Sequence, residues 1–117
     1  MPTFEPWSIV KVPFPYPDRP VVQRRPALVV AAGDLDLAHG LLWVLMITSA
    51  ENRPWPTDVP VTDLACAGLP APSVVRCAKV AIIESAAAEP LGFLPEADRG
   101  AVRAHVAQAL AGCLAVA

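Results

Sequence analysis

The chain has 117 residues, 55% of them hydrophobic and 17% charged, with a formal net charge of -2. That length makes one domain, 1–117, able to remove roughly two-thirds of its unfolded surface from water, and the apolar content excludes a disordered chain. The longest apolar run, Leu41 to Ile47, falls well short of the ~20 residues that span a membrane, and the mild acidity argues against a protein that grips nucleic acid by charge alone.

The opening MPTFEPW has an acid and two prolines where a secretion signal needs a basic and then an apolar segment, so a cytoplasmic protein is expected. Ser8 to Val12 is short, β-branched and partly alternating, which predicts a first strand. The proline-rich PFPYPDRP that follows is expected to be a loop. Ala27 to Ala32 reads as the second strand, Gly33 to Gly40 as a polar connection, and Leu41 to Thr48 as a third strand buried on both faces, with Trp43 in the core. SAENRPWP is an exposed loop, Val59 to Leu64 a weaker strand and GLPAPS a turn. Ser73 to Ile83 is one long strand or two with a bend, its even positions making a mixed, partly exposed face.

Only the end has helical signals. Pro95 suits a first helical position, Glu96 and Asp98 suit the positive end of the dipole, and Val102, Val106, Ala109, Leu110, Cys113 and Leu114 recur at helical spacing. Many short strands with no helices between them predict a mainly β fold with added α, an antiparallel sheet curled into a small barrel with a docked C-terminal helix.

The three cysteines, Cys66, Cys77 and Cys113, lack metal-ligand spacing and are expected to be buried hydrophobes in a reducing compartment. His39 and His105 add no zinc pattern, and no cofactor or metal is expected. The charge is unevenly spread. Residues 1 to 33 hold Lys11, Arg19, Arg24 and Arg25 against Glu5 and Asp18, so a local cationic patch can exist on an acidic chain.

Two features can carry chemistry. Pro26 restricts Arg25 to extended geometry, so Arg24 and Arg25 read either as solvated charges that guard a strand end or as anion-binding forks. Thr48 and Ser49 read either as the polar end of a buried strand or as hydroxyl donors. If the second and third strands are antiparallel neighbours, the head of one lies beside the tail of the other, which can bring Arg25 and Thr48 together. Asn52, Arg53 and Trp55 in the next loop could grip or stack a base, Arg76 and Lys79 could line a groove or a dimer contact, and Asp34 with Asp36 could hold a magnesium ion or be a solvated turn.

The run VPFPYPDRPVVQRRPALVV, an apolar strand ending in Ile-Thr-Ser, GLPAPSVVRCAKV, LGFL and the terminal helix together resemble the MazF/PemK family of toxin endoribonucleases, from about Trp7 to Leu114. The resemblance implies a small SH3-like barrel of the kind shared with the CcdB gyrase poisons, acting as a homodimer. It implies metal-independent cleavage of single-stranded RNA to 2',3'-cyclic phosphate and 5'-hydroxyl ends, and inhibition by a cognate antitoxin. The family's catalytic arginine falls on Arg25 and its threonine on Thr48, with Ser49, Arg24, Asn52 and Arg53 as RNA contacts. Relatives usually begin the first strand with Gly-Asp, where this chain has Trp7-Ser8. A non-catalytic protein on the same fold, a gyrase-poison-like toxin or a partner-binding module, is the alternative.

Overall fold

A computed structural model describes residues 3–15 and 22–116. Ten elements follow in chain order: β1 (Ser8–Pro15), β2 (Val22–Ala31), α1 (Asp34–His39), β3 (Leu41–Ser49), β4 (Asp58–Pro60), α2 (Leu64–Ala67), β5 (Ser73–Glu84), a short 3-10 turn (Ser85–Ala87), β6 (Glu89–Phe93) and α3 (Glu96–Leu114). The strands form one antiparallel sheet in the order β4-β5-β3-β2-β1-β6. This is the mainly β architecture with a C-terminal helix expected from the sequence, barrel-like although no pairing joins β4 to β6 among the described residues.

Each face of this sheet has its own core, because alternate residues of a strand point to opposite sides. On one face Ile9, Leu28, Leu45, Ile47 and Val75 pack with Leu94 and with Val102 of α3. On the other, Val10, Val12, Ala27, Val29, Val44 and Met46 pack with Phe4 and Ala88. Most of these side chains are fully buried, each contributing about 1.5–3 kcal/mol. That two-sided burial is why Leu41 to Thr48 reads as an almost uninterrupted apolar run.

Several expectations are corrected here. β1 runs on through Pro13 and Pro15, and the rest of the expected loop, residues 16–20, lies outside the described residues. The prolines are tolerated because β1 pairs with β6 only as far as Lys11, so no strand on that side needs their missing N–H. β2 begins at Val22, five residues earlier than expected, because the extended β1 supplies partners for Gln23, Arg24 and Arg25. The connection from Gly33 to Gly40 contains α1, with both glycines at positive φ as its brackets. His39 therefore closes a helix. Of the segment Val59 to Leu64 read as a weaker strand, only Val59 and Pro60 are in β4, and α2 begins at its last residue, capped by the Asp63 carboxylate accepting from the Cys66 N–H at 3.1 Å.

Trp43 is not in the core. It is 42% exposed beside its cross-strand partner Ile82, with Val80 next along β5, and these side chains make an apolar strip. The terminal helix docks only by its first turns. Asp98 is buried and accepts from the Thr62 N–H and hydroxyl, Val102 is buried, and Leu110 and Leu114 are exposed. Trp7 has φ of 78°, the one non-glycine residue in the left-handed region among those described, where relatives are expected to have glycine. Its N–H donates to Val29 and its carbonyl accepts from Leu94, and its ring lies under Arg99 and Arg103, so contacts on several sides hold the strained backbone.

Only one cysteine is buried. The Cys77 thiol is pushed up to about 11 by its burial and then by the nearby Asp58 charge, whereas Cys66 and Cys113 are exposed. A thiol reagent at neutral pH is expected to label two cysteines in the native protein and the third only on unfolding, as mass spectrometry would count. Rapid labelling of all three without denaturant would contradict this burial.

Candidate functional site

The site grows from one backbone feature. The β2–β3 ladder runs from Ala31 down to Ala27, opposite Met46, and stops one residue before Pro26. Pro26 has no N–H to offer the neighbouring strand, so β2 and β3 part there. Continuing the same register two residues further sets Arg25 opposite Thr48. The fork opens on a cavity of about 570 Å³ whose wall includes Lys11, Arg25, Pro26, Ile47, Thr48 and Ser49, with α2 and the Gly68 to Ser73 loop closing the far side. The two residues that the sequence suggested could meet thus line one cavity.

Two glycines set that far side. A Cβ on Gly68 would fall 2.1 Å from the Leu91 carbonyl oxygen, and one on Gly92 2.4 Å from the Cys66 carbonyl oxygen. The α2 and β6 backbones therefore touch directly, and no other residue type fits at either position without moving an element.

The hydroxyls are already organised. Thr48 is buried, 5% exposed, and its Oγ1 accepts a hydrogen bond from Asn52 Nδ2 at 2.6 Å. A hydroxyl that accepts still has its own proton to give. Ser49 is exposed and its Oγ accepts from the Glu51 N–H at 3.2 Å, while the Asn52 N–H donates to the Ser49 carbonyl at 3.1 Å. This turn after β3 carries Asn52 back onto Thr48.

Arg25 is half-buried. Arg24 is outside the cavity. It donates to the Lys11 and Ala87 carbonyls at 3.3 and 3.4 Å and pairs with Glu89 at 3.2 Å, so it ties β2 to the β1–β6 side. Arg53 is exposed and its carbonyl, not its guanidinium, has the assigned contact. Of the expected RNA contacts, Ser49 lines the cavity, Asn52 touches it through Thr48, and Arg24 and Arg53 stand away from it.

Arg76 does not line this cavity and is buried in an ion pair. It is 8% exposed, its Nε and Nη2 donate to the two oxygens of Asp58 at 3.1 and 3.0 Å, and Nη2 also donates to the Arg53 carbonyl at 2.9 Å. Burial alone would raise the Asp58 carboxyl, but the Arg76 hydrogen bonds, the Trp55 N–H and the guanidinium charge outweigh it and hold it below its ordinary value. Lys79 is exposed on β5, and Asp34 and Asp36 sit in the first turn of α1 and do not line the cavity. Sequence reasoning counted Lys11 only in the local cationic patch and not as a site residue, yet it lines the cavity from β1. Its signal was a lone cation in the apolar alternation SIVKV, facing Pro26 across the hairpin.

Comparison with known proteins is consistent with this geometry. A family model described as PemK-like, MazF-like toxin of type II toxin-antitoxin system matches residues 5–110. MazF from Deinococcus radiodurans is similar in structure at 22% identity and a TM-score of 0.75, over 95% of this chain and 99% of that one. The Mycobacterium tuberculosis toxin MazF-mt6 is similar at 26% identity and a TM-score of 0.64, over 92% of this chain and 97% of that one. An endoribonuclease in complex with its cognate antitoxin, from a mycobacterial species, is similar at 15% identity and a TM-score of 0.71 over 100% of both chains. No curated protein matches the chain in sequence.

Proposed function

Because the chain belongs to the PemK-like, MazF-like toxins of type II toxin-antitoxin systems, we propose that it is an endoribonuclease that cuts single-stranded RNA at the fork between β2 and β3. The observation that carries this reading is the parting of the strands at Pro26, which leaves Arg25 and Thr48 in the wall of one cavity.

The reaction uses the substrate's own 2'-hydroxyl. Its oxygen attacks the adjacent phosphorus as its proton passes to water, the P–O5' bond breaks, and the departing 5'-oxygen takes a proton from water, so the products are a 2',3'-cyclic phosphate and a 5'-hydroxyl. Negative charge builds on the non-bridging oxygens of the phosphorane, and the Arg25 guanidinium, permanently charged and fork-shaped, is suited to bind them. Thr48 donates to the same oxygens, its Oγ1 held by Asn52. Arg25 serves this step by its charge and its fork shape. None of these roles calls for a metal.

The same reading takes a cognate antitoxin and a second copy of the chain as partners. The exposed strip of Trp43, Val80 and Ile82 and the uncovered end of α3 support it, because apolar surface of that kind marks contact with other chains. For this family member a cytoplasmic setting is part of the proposal; no described helix is long and apolar enough to cross a membrane.

The deciding experiment is cleavage of a mixed-sequence single-stranded RNA by the purified protein, free of co-purified partner, in excess EDTA with the product ends mapped. Cyclic phosphates and 5'-hydroxyls undiminished by EDTA are expected. Activity that disappears in EDTA, or a folded protein that never cuts, overturns the reading.

A further inference from the structure

We propose that Trp55 is a pre-set stacking platform for one base of a single-stranded RNA, adjoining the Arg25–Thr48 fork; this rests on the endoribonuclease reading. Trp55 is 40% exposed in the connection between β3 and β4. Solvated loops carry such residues without a ligand, but this one is fixed from two directions. Its N–H donates to Asp58 Oδ2 at 2.9 Å and its carbonyl accepts from the Asp58 N–H at 3.1 Å, which closes the turn. Its ring is covered on one side by the Arg76 guanidinium, 4.2 Å from the ring centroid.

Arg76 is itself immobilised by both Asp58 oxygens and by the Arg53 carbonyl. An indole backed in this way presents its opposite face to solvent without conformational freedom to lose on binding. A guanidinium on the far side also draws electron density from the ring, and cation–π contact adds to stacking on such a surface.

The placement is right for a strand threading past the fork. Met46, Arg76 and Asp58 are successive cross-strand partners on β3, β5 and β4. They share a sheet face with Arg25 and Thr48, which lie two residues along in the same register. Three strand spacings, each ~4.8 Å, separate β2, which carries Arg25, from β4, which holds Trp55 through Asp58. Asn52 and Arg53, which precede the platform, are exposed beside it. An RNA strand held at Arg25 and Thr48 and running across β3 and β5 would therefore bring a base a few nucleotides along over the indole. Stacking tolerates any base, because every base has a π-face, so the platform raises affinity and sets the register of cleavage more than it reads identity.

The competing account is that Trp55 only shields the Asp58–Arg76 pair from water. Trp55→Leu keeps an apolar cover and Trp55→Phe keeps a smaller aromatic face, so the two separate the accounts. The probe is a 2'-O-methyl single-stranded RNA that cannot be cut, with binding measured by anisotropy and melting temperature measured on the same samples. The expected result is binding weakened roughly 5- to 150-fold in Trp55→Leu, with most of it kept in Trp55→Phe.

A second measurement needs no assumption about stability. Abasic ribose is moved along the RNA one position at a time. One position is expected to weaken wild-type binding by a similar factor and to have no further effect on Trp55→Leu. Equal binding by the three proteins, or abasic losses that persist unchanged in Trp55→Leu, overturns the platform while leaving cleavage at the fork intact. Wild type that neither binds nor cuts RNA overturns both. Loss of antitoxin-peptide binding with RNA binding unaltered reassigns the indole to the protein partner and also overturns it.

Discussion

Arg25→Ala is expected to lower kcat/KM for RNA cleavage by on the order of 10²–10³-fold, the loss that follows removal of one charge-stabilising group from a transition state. The guanidinium lies where β2 leaves β3, and alanine there keeps the extended backbone that Pro26 imposes. Arg25→Lys separates charge from shape. Lysine retains the positive charge but not the planar fork, so it is expected to recover part of the rate and not all of it. Thr48→Val should act on the same step. Valine preserves the β-branched shape of a residue that is 5% exposed, but removes the hydroxyl and leaves Asn52 Nδ2 without its acceptor. Single-turnover rates with enzyme in excess over RNA, followed as a function of enzyme concentration, check both. A folded Arg25→Ala protein that cuts at the wild-type rate would show that the fork between β2 and β3 is not where the chemistry occurs.

How much of this could be read from the chain varies with the range of the interactions involved. Pro26 acts on its own neighbours, so its effect on Arg25, and the placing of Arg25 and Thr48 in the wall of one cavity, were legible from local chemistry and antiparallel neighbourhood. α1 was missed although its signals are local. Glycines at both ends and acids in the first turn mark a helix, but six residues with no buried side chain have no apolar period to detect. Arg76 was not legible at all. A cation in an apolar strand suggests exposure, and the partner that makes its burial tolerable, Asp58, is 18 residues away on a different strand. Trp43 failed for the opposite reason. Its type and its neighbours in the sequence predict the core, and only the assembled sheet shows that α3 leaves that part of the face uncovered.

The largest stability effect is expected from that same long-range pair. Asp58 and Arg76 have side chains only 9% and 10% exposed, joined at 3.0 Å. Removing one partner of a buried pair leaves an uncompensated charge, at a cost of about 3–5 kcal/mol, against a total stability for such a domain of about 5–15 kcal/mol. Asp58→Ala and Arg76→Ala should each lower the denaturation midpoint sharply, whereas Asp58→Leu combined with Arg76→Met should regain much of the loss by removing both charges at once. The pair also predicts a pH dependence of definite sign. The folded state holds the Asp58 carboxyl below its ordinary value of about 3.9, so the carboxylate binds protons more readily unfolded than folded. The stability it lends is therefore complete above that ordinary value and is lost as the pH falls through the lower folded-state value. Melting temperature followed downward from pH 6 should fall less in Asp58→Asn than in wild type across this acid window. Parallel curves for the two proteins would mean that the ion pair, and with it the anchoring of Trp55, contributes no net free energy to the folded state.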